Sequence, residues 1–271
     1  MLDCGEGSQV QLKKYGIGLQ KIDHIFISHT HGDHYLGLAG LVSSMNLLGR
    51  DKKLHIYGSP NLKKVIDLHF QMANSRSAFE IEYIITQNKK EEILLDKEDI
   101  RVMSFPVKHK IPATGFLVSA GSKKRKLLKE ELEKHNVPKH LRSGIKEGKD
   151  YQGEDGKKVG NEVLTTIPDP LRHYAFCADT VFYLEMVKHI SGVNMMYHES
   201  SFLKGDQKKA KEVTHSTAEQ AATVAKEAEA GKLLIGHFSS KYSDDEAFLK
   251  EARAIFPETF IATQGSYYEV I

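Results

Sequence analysis

The chain has 271 residues, 40% of them hydrophobic, enough for one large or two modest domains with a sizeable core. Net charge is +2, too small to argue nucleic-acid binding from overall charge, and Cys4 and Cys177 are too few for a disulfide framework or a paired-cysteine zinc site, which points to a reducing cytoplasm. The opening Met1-Leu2-Asp3-Cys4-Gly5-Glu6 lacks a signal-peptide pattern, and the longest apolar run, around Leu36 to Leu48, is shorter than the roughly 18 residues of a membrane helix, so no membrane span is expected.

Taken in chain order, apolar strand patterns alternate with helical ones. Strands are predicted over 24–28 and 54–57, with helices over 38–48 and 61–73. Further strands follow over 79–85, 100–107 and 115–118. From about 121 to 168 the sequence turns lysine-rich and glycine-dotted, with little apolar periodicity beyond Leu127, Leu128 and Leu132, and reads as an insertion projecting from the body. Strands over 173–178 and 193–197 come next, then a helix over 217–229, which Ser216 and Glu219 open with the Ser-x-x-Glu spacing of a capping box. A strand over 233–236, a helix over 245–255 and a strand over 259–262 close the chain. The mixture is α/β, and two sheets with flanking helices fit it.

Directly after the first strand stands His29-Thr30-His31-Gly32-Asp33-His34. In extended chain His29 and His31 point to the same side, and Gly32 lets the backbone turn so that Asp33 and His34 reach a second point nearby. Surface histidines in a loop are the bland reading; four imidazole and carboxylate groups in six residues after a strand favour two adjacent metals. A thiolate-free set suits zinc, with manganese or iron as substitutes. His109, Asp179 and His237 each end an apolar run, where a strand delivers a side chain to the rim of a sheet.

This ligand order resembles the metallo-β-lactamase superfamily, and within it the chain is similar to the ribonuclease Z family along essentially its whole length. The resemblance rests on Asp3-Cys4-Gly5-Glu6-Gly7-Ser8-Gln9, the His29 to His34 motif, Gly37-Leu38-Ala39-Gly40-Leu41, Ile56-Tyr57-Gly58 and the stretch from His109 to Phe116. It rests also on His198-Glu199-Ser200-Ser201-Phe202, His215-Ser216-Thr217-Ala218-Glu219-Gln220-Ala221 and His237-Phe238-Ser239-Ser240-Lys241-Tyr242. It implies an αββα sandwich formed by one domain over 1–271, with a flexible tRNA-binding arm inserted over about 121–168. It further implies a zinc-dependent endoribonuclease that removes the 3′ trailer of precursor tRNA and leaves a 3′-hydroxyl.

By the same resemblance His29, His31 and His109 hold one of two zinc ions, Asp33, His34 and His237 the other, and Asp179 bridges them. Such a pair lowers the pKa of a shared water. His215, supported by Glu199, is the expected proton donor to the departing oxygen, and Asp33 an acceptor of the water's proton. His198 either orients a ligand from behind or simply closes a strand. Homodimers in which one subunit's arm serves the other's site are implied as well.

The segment from Gly121 to Asp150 carries ten basic residues against five acidic ones, leaving −3 for the rest of the chain. Lys123, Lys124, Arg125 and Lys126, with Lys241 near the site, are the expected substrate-binding residues, since phosphate contacts need such charge. A solvated lysine-rich loop is the alternative for the segment. The chain departs from the family in several places: a glycine-proline motif is lacking in the arm, Phe116 stands for a tyrosine, Ser200-Ser201 for Ala-Thr, Cys177-Ala178 for Ser-Gly and Lys241 for an arginine. The first strands that relatives carry before Asp3 are also expected to be missing, which would expose an unpaired edge in one sheet. Two other functions fit the same residues: a phosphodiesterase acting on small esters or other RNA, and a catalytically disabled RNA-binding protein.

Overall fold

The computed structural model describes residues 1–121, 124–153, 156–168 and 170–271. Three parallel strands, β1 (His24–Phe26), β2 (Leu54–Gly58) and β3 (Ile81–Ile85), form the first sheet in that order. Met1 to Asp3 run beside β1: Leu2 bridges Phe26 in parallel, and the Asp3 N–H donates to the Phe26 carbonyl at 2.8 Å. The second sheet opens with β4 (Glu92–Asp96), β5 (Ile100–Pro106) and β6 (Thr114–Ala120), which are antiparallel. Four short strands come next, β7 (Lys126–Leu127), β8 (Tyr151–Gln152), β9 (Lys158–Val159) and β10 (Thr165–Thr166). The chain then returns to the second sheet as β11 (Arg172–Phe176), β12 (Met195–Glu199), β13 (Lys232–Gly236) and β14 (Thr259–Ile261). The order of that sheet is β14-β13-β12-β11-β6-β5-β4, with β11 to β14 parallel.

Alternation along the strands explains the layering. Ile25 and Ile27 pack with Leu38, Leu41 and Met45 of the helix Gly37–Leu47 and with Leu62 and Ile66 of the helix Asn61–Met72. Phe26, between them in sequence, turns the other way and joins Tyr57, Val102 and Phe116 where the two sheets meet. On the second sheet Ala175 packs with the helix-side core while its neighbour Phe176 lies with the inter-sheet cluster. Helix, sheet, sheet, helix is therefore the order of layers. With both faces covered, the strands read as nearly continuous apolar runs.

The helix Ala218–Glu227 buries Ala218, Ala221, Ala222, Val224 and Ala225 against the second sheet. Its cap corrects the sequence expectation by one residue. Thr217, not Ser216, is the N-cap, and Gln220, not Glu219, closes the capping box. Ser216 has other work: its hydroxyl donates to the Thr180 carbonyl at 2.7 Å and its N–H to Glu199 at 3.0 Å. Glu219 pairs with Lys204 at 2.7 Å.

The lysine-rich segment has more internal packing than its sparse apolar pattern suggests. Leu132, Val137, Ile145, Tyr151 and Leu164 form a small core of their own, joined by Leu127 and Val159. Asn161 ties it together, its amide donating to the Ile145 and Lys149 carbonyls at 2.6 and 2.8 Å. Two short antiparallel pairings, β7 with β10 and β8 with β9, complete it.

Candidate metal centre

Every expected ligand comes after the end of a strand, Asp33 and His34 within the short helix Gly32–Tyr35. His29 to His34 follow β1, His109 follows β5, Asp179 follows β11 and His237 follows β13. Unusual backbone shapes the rim: Asp3, Ala178, Thr214 and His237 all have positive φ, between 49° and 61°, although none is glycine. Such conformations are uncommon outside glycine and gather where surrounding structure enforces them.

Side chains from both sheets meet in one cluster. His31 Nδ1 stands 3.1 Å from both His29 Nε2 and His109 Nε2, and His29 Nε2 is 3.6 Å from Asp179. In a second group His237 Nε2 is 3.1 Å from Asp33, and His34 Nε2 is 3.5 Å from Asp33 and 3.3 Å from Asp179. The other Asp179 oxygen, Oδ1, lies 3.6 Å from His237. A cation held tetrahedrally at about 2.0–2.2 Å from each donor separates the donors by about 3.3–3.6 Å. Both groups come close to that spacing, and Asp179, a member of the first, stands 3.3 Å from His34 and 3.6 Å from His237 of the second.

Hydrogen bonds behind the cluster settle which nitrogens face inward. His109 Nδ1–H donates to the Thr214 carbonyl at 2.9 Å, leaving Nε2 as a lone pair. His34 Nδ1–H donates to Asp3 at 2.7 Å. Its Nε2 is buried without a hydrogen-bond partner, as suits a nitrogen that ligates a cation. Ser28 donates its hydroxyl to Asp3 at 2.8 Å and so can accept from His29 Nδ1 at 3.0 Å. Ser201 does the same on the far side, donating to Glu199 at 2.9 Å and lying 3.0 Å from His237 Nδ1. The residues present therefore fit a metal pair by spacing, donor type and tautomer.

Electrostatics divide the imidazoles. Burial, helped by the neighbouring His34, lowers the His29 pKa to about 3, so the ring is neutral and able to ligate. Burial also lowers that of His109. His34 runs the other way: burial opposes its charge, but the Asp179 and Asp3 carboxylates outweigh it and lift the pKa to about 10, so a cation bound at Nε2 would take the place of a proton there. Asp179 would be raised by burial, yet His34 and the other imidazoles hold its carboxyl below the usual carboxylate range.

Glu199, fully buried at the end of β12, accepts from five donors: the Thr180, Ser201 and Ser216 N–H groups, the Ser201 hydroxyl and His215 Nδ1 at 2.9 Å. Burial disfavours the His215 cation, but Glu199 overcomes it and raises the pKa. The His215 ring packs between those of His109 and His237, with centroids 5.1 and 5.5 Å away. His198 does not reach the cluster; its Nδ1 bonds to the Glu199 carbonyl inside β12.

The expected substrate-binding residues lie elsewhere. Arg125 at the base of the arm donates to Thr165 at 2.6 Å, Lys124 faces Glu147 at 3.8 Å, and Lys126 begins β7. Lys123 lies outside the described residues. Lys241 pairs with Asp206 at 2.6 Å. Asp3, Ser28, Thr180, Ser201 and Thr214 hold roles that the sequence patterns do not predict.

Relatives match this chain over nearly its full length. The chain is 38% identical to ribonuclease Z of Bacteroides fragilis over 265 residues, covering 98% of this chain and 87% of that protein. It is 42% identical to ribonuclease Z of Cytophaga hutchinsonii, covering 100% and 86% respectively. The chain belongs to the ribonuclease Z family. It is thus a hydrolytic endoribonuclease of the metallo-β-lactamase fold with a metal cofactor. The fold is shared with human tRNase Z, short form (TM-score 0.68, 24% identity, 100% of this chain and 87% of that one). It is shared too with the metallo-β-lactamase fold protein YhfI of Bacillus subtilis (TM-score 0.65, 18% identity, 98% and 84%). A family described as Anti-Pycsar protein Apyc1 matches residues 1–128. That stretch, under half of the chain, contains His29 to His34 and His109 and stops before Asp179, Glu199, His215 and His237.

Proposed function

We propose that this ribonuclease Z removes the 3′ trailer from precursor tRNA, using two zinc ions per chain held by the ligands His29, His31 and His109 on one side, Asp33, His34 and His237 on the other, and Asp179 between. The observation that carries the reading is the meeting of these seven side chains beside the buried Glu199–His215 pair. When bound, such cations would supply an activated water and offset charge on the phosphoryl oxygens. Glu199 fixes His215 with Nδ1–H turned inward, which leaves Nε2 to protonate the departing 3′-oxygen. The P–O3′ bond breaks, the tRNA keeps a 3′-hydroxyl and the trailer keeps the phosphate. Asp33, the more exposed carboxylate of the cluster, accepts the proton of the water.

The basic arm over about 121–168 is read as the contact to the tRNA backbone away from the cut. The proposal extends to a homodimer with arms serving partner sites and to a cytoplasmic setting. Among the described residues no helix is long and apolar enough to cross a membrane.

Incubating the purified protein with precursor tRNA, alongside metal analysis, tests the reading. Expected are about two zinc ions per chain and one cut leaving a 3′-hydroxyl. His215→Ala should keep the metal and lose about 10²–10⁴ in kcat. Full metal loading with no cleavage by the native chain would overturn the proposal in favour of a non-catalytic RNA binder.

A further inference from the structure

Next to His215 lies a cavity of about 200 Å³, lined by Val181, Phe182, Gln207, Lys211, His215 and Gln220. It is smaller than the roughly 300–1,000 Å³ of sites for drug-sized ligands, and suits one ring system. Three segments build it. Val181 and Phe182 follow Asp179-Thr180, and the Val181 N–H donates to the Lys108 carbonyl at 2.8 Å, which fixes that wall. Gln207 and Lys211 are four apart on the helix Gln207–Glu212 and so share a face. Gln220 commits its carbonyl oxygen to the Thr217 N–H at 3.0 Å, leaving its amide NH₂ to donate.

Two lysines close by are neutralised, Lys209 by Glu212 at 3.7 Å and Lys204 by Glu219 at 2.7 Å. Among the described residues Lys208 and Lys211 have no carboxylate partner, and of the two Lys211 lines the cavity. The basic and aromatic character continues around the rim, where the Lys108 ammonium sits 3.9 Å over the Tyr183 ring.

We propose that this cavity receives the nucleotide whose 3′-oxygen departs, the last one kept in the RNA product. The inference rests on the reading of His215 as proton donor. A general acid must lie within hydrogen-bond reach of the leaving oxygen. That oxygen belongs to the ribose of this nucleotide, and the cavity shares His215 with the metal cluster. Phe182 offers a face for the base, a contact that tolerates any sequence. Lys211 offers an unpaired charge to the phosphate on the 5′ side, and the two amides offer hydrogen bonds to a base edge or a 2′-hydroxyl.

The test pairs enzyme variants with modified substrates. Precursor tRNA with an abasic site at the last retained nucleotide should be cut about tenfold more slowly than the normal precursor by the native chain. Phe182→Ala should slow the normal precursor and erase that tenfold difference. Lys211→Ala, a change at an exposed position that leaves the fold intact, should raise KM for precursor tRNA about tenfold while leaving kcat, zinc content and hydrolysis of bis(p-nitrophenyl) phosphate unchanged. The assignment is overturned if Lys211→Ala cuts the precursor normally, if it slows the small diester equally, or if the abasic penalty arises at the first trailer nucleotide instead. Native chain that cuts no precursor at all would instead sink the function on which the assignment rests.

Discussion

Asp3 shows how much of this site depends on a residue that touches no cation. One oxygen accepts the Ser28 N–H at 2.7 Å, while the other holds the Ser28 hydroxyl and His34 Nδ1. It therefore orients a ligand on each side of the proposed metal pair. Losing such a support typically costs 10–100-fold in metal affinity. Asp3→Asn is expected to weaken zinc by about that factor, measured by competition with a chelator, while kcat at saturating zinc falls less; unchanged affinity would refute the role. The ligands themselves are legible because imidazoles and a carboxylate packed into His29-x-His31-x-Asp33-His34 serve little purpose besides holding cations. Asp3 is not, since a single carboxylate 26 residues away carries no spacing signal. Ser28, Ser201 and Thr214 are still less visible, because hydroxyls and carbonyls acquire their roles only once strands bring them together.

At the scale of elements, the loop holding Asp3 is pressed against the helix Gly37–Leu47. The Gly37 N–H donates to the Cys4 carbonyl at 3.0 Å. A methyl group at Gly37 would stand 1.9 Å from the Gly5 carbonyl oxygen, and one at Gly5 2.2 Å from that of Asp33. Backbone meets backbone at both points, so neither clash can be relieved by turning a side chain. Gly37→Ala should lower stability by at least about 1–3 kcal/mol in a denaturant titration and displace Asp3 from His34, reducing zinc content as well. A variant of native stability and full zinc content would show that the contact is unimportant.

The same scale separates what the sequence reveals from what it hides. Strands buried on both faces, such as β2 and β13, announce themselves as apolar runs. The helix Ser8–Lys14 has no buried residue and so gives no periodic signal. The capping box falls one residue from its expected place because Ser216-x-x-Glu219 and Thr217-x-x-Gln220 are equally good signatures. Only the capture of Ser216 by Glu199 and Thr180 decides between them.

On the scale of the molecule, the arm and the body have separate cores, joined at the arm's base by contacts such as Lys146 with Glu98 at 3.3 Å. Its five core residues are spread over more than thirty positions between lysines and glycines, too sparse to be read as periodicity. A chain lacking residues 123–168 should lose cleavage of precursor tRNA at ordinary concentrations yet still hydrolyse bis(p-nitrophenyl) phosphate. Equal loss of both activities would reject a binding role for the arm.

The metal cluster itself straddles two half-structures. The first sheet supplies His29, His31, Asp33 and His34, and the second supplies His109, Asp179 and His237. Cations seated there act as rivets across the seam, so catalysis and cohesion draw on the same atoms. A ligand at 100 times its Kd adds about 2.7 kcal/mol to stability, or about 5–10 °C in a chain of this size. Withdrawing the metal with a chelator should lower the melting temperature by about that much, and loosen the join between the sheets before either one unravels.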